Sequence, residues 1–307
     1  MASVSSKQQI FFFIISVCFL ANIYAESGRG SSAPYISGDS FRALANFVFD
    51  EESRSLMPTK VRFGDIIFVK IDLLDDFIAS YHSRIKQPYI LITHNGDLPV
   101  TDKYKGYLDN DKVIIWFAQN ITNFTHPKLK GIPIGIANRC WPHGNVQKLK
   151  EARSLFQNCN KEHLLYMNFS IGTYSDERSY VYNLFRQLNG GVYSCSKDFF
   201  SYLTDLARTK FVISPRGNGI DTHRTWEALY MGAVPVVKSS SLDPLFKDLP
   251  VLIVDDWNII DESYLEKKWD EFKDREYNYE KLYINYWEKE ISKYKRGFVG
   301  LCSKIER

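Results

Sequence analysis

The chain has 307 residues, 45% hydrophobic and 24% charged, a composition ordinary for a globular protein and a length that suits one large domain or two medium ones. A net charge of only +3 gives no basic stripe of the kind that nucleic acid demands, so no nucleic-acid partner is expected. The 19 tyrosines raise the aromatic share to 15%, which serves a core as readily as a sugar-binding face.

Lys7 precedes an unbroken apolar run over 10–20, and Ala25 follows in Asn22-Ile23-Tyr24-Ala25. The run falls short of the ~20 residues that a membrane span requires. Residues 1–25 therefore read as a cleaved secretory signal, with an uncleaved signal-anchor as the alternative; a membrane contact is expected only in the second case. The destination is the secretory pathway, in the Golgi or endoplasmic reticulum lumen or beyond. Sequons at Asn120, Asn123 and Asn168 agree with export. After cleavage Cys140, Cys159, Cys195 and Cys302 remain, with three possible full pairings or none, and their spacing fits no zinc motif.

Residues 26–38 read as a linker. Beyond them apolar runs at 65–70, 89–93, 112–118 and 132–136 read as buried strands, with a helix of apolar period over 73–85. Pro142, Gly144 and a charged helix over 146–156 mark a boundary. The pattern then restarts, with strands at 164–169, 191–195, 211–214, 233–237 and 251–254 alternating with helices at 176–188, 199–208 and 222–231. Strand and helix in alternation predict an α/β chain with two Rossmann-like domains facing a cleft. Residues 39–145 form the acceptor-side domain and 160–260 the nucleotide-sugar-binding domain in this reading. Residues 261–307 supply helices whose face of Tyr279, Leu282, Tyr283, Tyr286, Trp287, Ile291 and Tyr294 packs on the body.

Residues 211–237 carry the chemistry. A buried strand enters the turn Ser214, Pro215, Arg216, Gly217, Asn218, Gly219, and a helix follows that Asp221 or Thr222 caps. Glycines allow close approach of a ligand, and a helix start favours phosphate. Arg216 and Arg224 are placed to clamp a diphosphate. His223 and Glu227 share a helix face, and the carboxylate suits the two hydroxyls of a ribose. A dinucleotide fingerprint is a poorer fit, because Thr222 stands where its third glycine belongs and Lys238, Ser239 and Ser240 where its ribose-binding acid belongs.

Ser-Pro-Arg-Gly from 214, Arg-Thr-Trp-Glu-Ala-Leu from 224 and Gly-Ala-Val-Pro-Val-Val from 232 resemble the donor-site signature of exostosin-like glycosyltransferases of the family 47 type. Leu-Asp-Pro-Leu-Phe from 242 and, less specifically, segments over 117–135 fit the same pattern. The resemblance spans 205–260 strongly and 110–190 moderately. It implies a GT-B fold, an inverting mechanism, and a nucleotide-sugar donor with a glycan or glycoconjugate acceptor. The donor is a substrate, so no cofactor is expected.

Arg216, Arg224 and the helix start can stabilise a departing diphosphate without a metal, and no metal site is expected. The base should come from the acceptor side, where His94 and Asp97 follow a strand. Asp255 and Asp256 follow another strand but read as turn or cap residues. Two other classes fit the chain less well: a secreted glycoside hydrolase, for which no paired carboxylates stand out, and a sugar- or nucleotide-binding protein without a base.

Overall fold

The computed structural model describes residues 29–188, 190–194 and 196–297. Residues 1–25, for which a secretory signal is expected, lie outside them, as do Cys195 and Cys302. Cys140 and Cys159 are free thiols. Among the described residues no helix is long and apolar enough to cross a membrane.

The architecture is α/β, with two five-stranded parallel sheets as expected for two Rossmann-like domains. The N-terminal sheet holds β1 (Phe47–Phe49), β2 (Ile66–Lys70), β3 (Tyr89–His94), β4 (Val113–Ala118) and β5 (Leu129–Gly131), laid side by side in chain order. Every residue of β3 and β4 is buried, which is why these strands read as continuous apolar runs rather than alternating ones. The C-terminal sheet holds β6 (His163–Met167), β7 (Gly191–Tyr193), β8 (Thr209–Ile213), β9 (Val234–Lys238) and β10 (Leu252–Val254), in the order β10-β9-β8-β6-β7. Here the chain reverses: β7 is laid on one side of β6 and β8 on the other. A reversal of this kind opens a crevice at the carboxyl ends of the two strands it separates.

Among the described residues six helices of eight residues or more flank the sheets: α1 (Val146–Phe156), α2 (Ser175–Phe185), α3 (Phe199–Ala207), α4 (His223–Tyr230), α5 (Glu262–Lys273) and α6 (Ile284–Gly297). Side chains cap three of them, with Asn145 accepting from Lys148 N–H, Asp198 from Phe200 and Ser201, and Asp261 from Tyr264. α4 ends at Gly232 (φ +70°), with Gly232 N–H on Leu229 O and Ala233 N–H on Ala228 O. That Schellman arrangement turns the chain directly into β9.

Three sequence expectations change. The run 132–136 is not a strand: Pro133 has no N–H, and Gly135 takes φ +68° because a Cβ there would lie 2.3 Å from Ile36 O. The fifth strand is instead the short polar β5 just before it. The supposed linker is buried from Tyr35 onward. Tyr35, Ile36 and Phe41 belong to a core that spans both sheets, with Ile36 N–H on Tyr230 Oη (3.1 Å) and Ile136 N–H on Ile36 O (2.9 Å). Its Gly and Ser content serves tight packing rather than freedom: a Cβ on Gly38 would overlap Asn95 Oδ1 at 1.7 Å. The helix expected over 73–85 is a 3-10 turn, Ile71–Leu73, one α turn, Leu74–Phe77, and a π turn, Ile78–His82. From the other end of the chain, α6 returns to the N-terminal sheet. Trp287 packs edge-on against Phe41, and Tyr294 against Phe117 of β4.

Candidate ligand cleft between the two sheets

A cavity of 770 Å³ opens at the carboxyl ends of β6 and β8, where the strand order reverses. Its floor is built from Asn168 and Ser170 after β6 and from Gly217, Asn218, Gly219 and Asp221 in the turn after β8. α2 and α4 each send one arginine to it. Arg224, in the first turn of α4, donates through Nε to Asn168 O at 2.8 Å, and its buried Nη1 has no partner. Arg178 of α2 donates through Nε to Arg216 O at 2.7 Å and through Nη1 to Ser170 O at 2.6 Å and to Thr173 Oγ1. Both guanidinium carbons lie over the Phe169 ring, at 5.3 and 5.6 Å from its centroid. Among the described residues neither arginine makes an ion pair.

Two cations held side by side by carbonyls, a hydroxyl and an aromatic ring, with no carboxylate in ion-pair reach among the described residues, are costly. Burial, with the charge of Arg224 behind it, pulls Arg178 down to about 10, and burial lowers Arg224 as well. An anion entering the cavity would relieve both and meet bidentate donors.

One turn along α4, Glu227 is 4% exposed. Its Oε2 accepts the Tyr202 hydroxyl of α3 at 2.8 Å, and burial holds the carboxyl up to about 7. The remaining acceptor positions of this carboxylate suit a pair of hydroxyls.

The glycine turn is stitched to the N-terminal sheet. The Asp221 carboxylate accepts N–H bonds from Ile134 and Thr222, each at 2.8 Å, and from Trp226 Nε1 at 2.8 and 3.0 Å to its two oxygens. Burial lifts this carboxyl to about 7 also. Asp221 N–H donates to Asn120 Oδ1 (3.2 Å), and Asn120 Nδ2 to Asp97 O (3.3 Å). Only a residue without Cβ fits at 219, since a Cβ would lie 2.8 Å from Asn120 Nδ2. A Cβ on Gly217 would press on Arg178 Nη2 at 3.1 Å.

Among the residues that the sequence singles out, Gly217, Asn218, Gly219, Asp221, His223, Arg224 and Glu227 all line this cavity. Ser214 and Arg216 do not. Ser214 Oγ bonds the hydroxyls of Thr225 (2.8 Å) and Thr222 (3.1 Å). The Arg216 guanidinium lies 4.5 Å over Tyr174 and turns back to the carbonyls of Gly217 and Asn218. Both line a separate cavity of 340 Å³. The second arginine of the cleft is Arg178, beside Lys148 and Lys197 in the lining, and the carboxylate's partner is Tyr202. Tyr202 sits in an ordinary amphipathic helix and gives no signal in the sequence.

A second cavity, of 480 Å³, lies at the carboxyl ends of the N-terminal strands. Asp97, Ile134 and His223 line both cavities and form the seam between them. His223 Nδ1–H donates to Gly135 O at 2.7 Å, leaving Nε2 unprotonated, and burial holds the ring neutral down to about 4. His94 has no nitrogen free for a proton: Nε2–H donates to Pro133 O (3.1 Å) and Nδ1 accepts Asn95 N–H (2.7 Å). Burial again lowers it to about 4. Of the two candidate bases, Asp97 alone stands exposed at the seam.

Asp256 caps a turn, its carboxylate accepting Asn258 N–H at 3.0 Å. Among the described residues no group of three His, Cys, Asp or Glu side chains is placed to hold a metal ion. The sequons separate in the same way. Asn120 is 2% exposed with both amide atoms bonded, Asn168 lines the cleft, and Asn123 is exposed.

No protein-family profile and no curated protein matches the chain. Among solved structures it is similar to α,α-trehalose 6-phosphate synthase from Burkholderia multivorans, at 12% identity and a TM-score of 0.43, over 81% of this chain and 74% of that one. It is similar also to a GtfA/B complex at 12% identity and a TM-score of 0.35, over 80% of this chain and 58% of that one. Both are weak likenesses in the course of the backbone.

Proposed function

We propose that the protein is an inverting glycosyltransferase of exostosin-like type that moves a sugar from a uridine diphosphate donor to a hydroxyl of a glycan or glycoconjugate in the secretory pathway. The observation that carries this reading is the pair of guanidiniums without an ion-pair partner among the described residues, Arg178 of α2 and Arg224 of α4, the latter one helical turn from the buried Glu227 carboxylate at the strand reversal. The cations fit a diphosphate, and Glu227 fits a ribose.

In the transfer, the acceptor oxygen attacks the anomeric carbon from the face opposite the diphosphate. The new C–O bond forms as the C–O bond to phosphate breaks, and the electron pair leaves on the phosphate oxygen. Arg178 and Arg224 take up that charge, the role a metal plays elsewhere. The acceptor proton passes to the Asp97 carboxylate at the seam.

Release of UDP from a panel of UDP-sugars, with and without a pooled glycan acceptor, tests the reading. One donor should be turned over with acceptor present, in EDTA as in buffer, and Asp97→Asn should abolish turnover while UDP still binds. Absence of turnover across the panel, together with absence of UDP binding, would refute it.

A further inference from the structure

The 480 Å³ cavity differs from its neighbour in charge. Arg29 is held by Asp39 (2.9 Å), Asp50 (3.6 Å) and Glu51 (2.5 Å), Lys70 by Glu51 (3.6 Å) and Asp72 (3.9 Å), and Glu52 by Arg42 (3.4 Å). Every charged group lining it is thus ion-paired except Asp97 at the seam. Such a lining has no cation or anion to spare for a charged ligand.

Its amides show what it has to offer. Asn95 and Asn138 satisfy each other, with Asn138 Nδ2 on Asn95 Oδ1 at 2.8 Å; Asn95 Nδ2 then donates to Asp39 Oδ1 (3.1 Å), and Asn138 Oδ1 accepts Asp39 N–H (2.8 Å). Gln119, at the end of β4, is 3% exposed and lines the same cavity, yet its Oε1 is buried with no partner among the described residues. A buried amide oxygen without a partner is rare unless a ligand or an ordered water supplies one.

The rim carries Trp141, 58% exposed, with the His143 ring stacked on it at 6.3 Å and 24°. The His143 ring in turn meets His223 edge-on at 6.3 Å, so a line of rings runs from the mouth to the seam. The turn that presents the indole is fixed. Trp141 N–H donates to Asn138 O (2.9 Å), and a Cβ on Gly144 would overlap that same oxygen at 2.0 Å. A rigid exposed indole offers an apolar face to the C–H face of a sugar ring.

We propose that this cavity is the acceptor subsite and that it takes an uncharged sugar ring, stacked on Trp141 and hydrogen-bonded through the Gln119 amide, with the reacting hydroxyl at Asp97. The proposal rests on the transferase reading for the word acceptor. The binding itself is independent of it.

Ligand-observed NMR titration of the whole chain with methyl β-D-galactopyranoside, methyl β-D-xylopyranoside, methyl α-D-mannopyranoside and methyl β-D-glucuronide tests it. At least one neutral glycoside should bind, unaffected by saturating UDP, and the glucuronide more weakly than its neutral counterparts. Trp141→Ala should weaken the neutral glycoside about tenfold, Trp141→Phe should restore most of the loss, and UDP affinity should be unchanged in both. Gln119→Glu should weaken it too, in a protein shown to be folded by its UDP affinity. Binding of none of the neutral glycosides, tighter binding of the glucuronide, or wild-type affinity in Trp141→Ala would overturn the assignment. Failure of the donor reading would appear separately, as wild-type protein that takes a glycoside but no UDP.

Discussion

In the N-terminal half a buried guanidinium, that of Arg29, lies among the carboxylates of Asp39, Asp50 and Glu51. In the C-terminal half two such groups, on Arg178 and Arg224, face only carbonyls, a hydroxyl and the ring of Phe169. The sheets differ to match. The N-terminal strands follow in chain order, and at their carboxyl ends Asn95, Asn138 and one histidine are bonded, with the Gln119 amide oxygen left open. The C-terminal order reverses at β6 and β8, leaving a crevice with charge unspent. Completed ion pairs hold a fold together; incomplete ones wait for a ligand.

The largest expected effect sets the two kinds of arginine against each other. Arg29→Met leaves the buried Asp39 carboxylate without its cation and should cost about 3 kcal/mol of stability by denaturant titration, with UDP affinity intact. Arg178→Met removes a cation that has no counter-charge, so stability should hold while UDP affinity falls. Equal destabilisation by both would erase the distinction. Next in size is the stitch between the halves. Gly219→Ala drives a Cβ onto Asn120 Nδ2, and a loss of about 1–3 kcal/mol is expected; a wild-type melting temperature would show that the seam can open freely.

The pH dependence divides the halves as well. Glu227 and Asp221 are held up to about 7 by burial, so the folded chain keeps protons that the unfolded chain releases from about pH 4 upward. Their share of stability therefore falls as pH rises from about 4 to 7 and is level above that. At Asp50 burial is outweighed by Arg42 and the carboxyl is held down, so its stabilising share is lost only as pH falls below about 4. UDP affinity should run the other way from the stability of the cleft, because ribose needs the ionised Glu227. It should weaken by up to about tenfold per pH unit below 7, and Glu227→Gln should flatten that slope. The smallest effect concerns the surface. In a eukaryotic secretory host Asn123→Gln should remove one glycan by gel shift with no change in melting, while Asn120 carries none.

The sequence showed the buried strands of both sheets and the turn between β8 and α4, because parallel strands and glycine turns leave strong local patterns. It hid β1, three residues long, and β5, whose polar Leu-Lys-Gly gives way to a more apolar stretch that is bonded across the seam instead. The segment around Ile36 looked like a linker because small residues mark both flexible chain and tight packing, and only long-range contacts tell them apart. Arg216 seemed the second clamp by its place beside the glycines. The rotamer that lays it over Tyr174, and the reach of Arg178 from α2, are tertiary facts. His94 and Asp97 lay three residues apart and looked alike as bases, but a carbonyl and an amide 39 and one residues away occupy both nitrogens of the histidine.

The central claim is that the reversed sheet holds a nucleoside diphosphate on two unpaired arginines. Calorimetric titration of UDP into wild type and Arg224→Met tests it most directly. The account predicts one site on wild type, about 10- to 100-fold weaker in the variant, with both proteins equally stable before ligand is added. Equal affinity in the two, or no heat from a folded wild type, would contradict it.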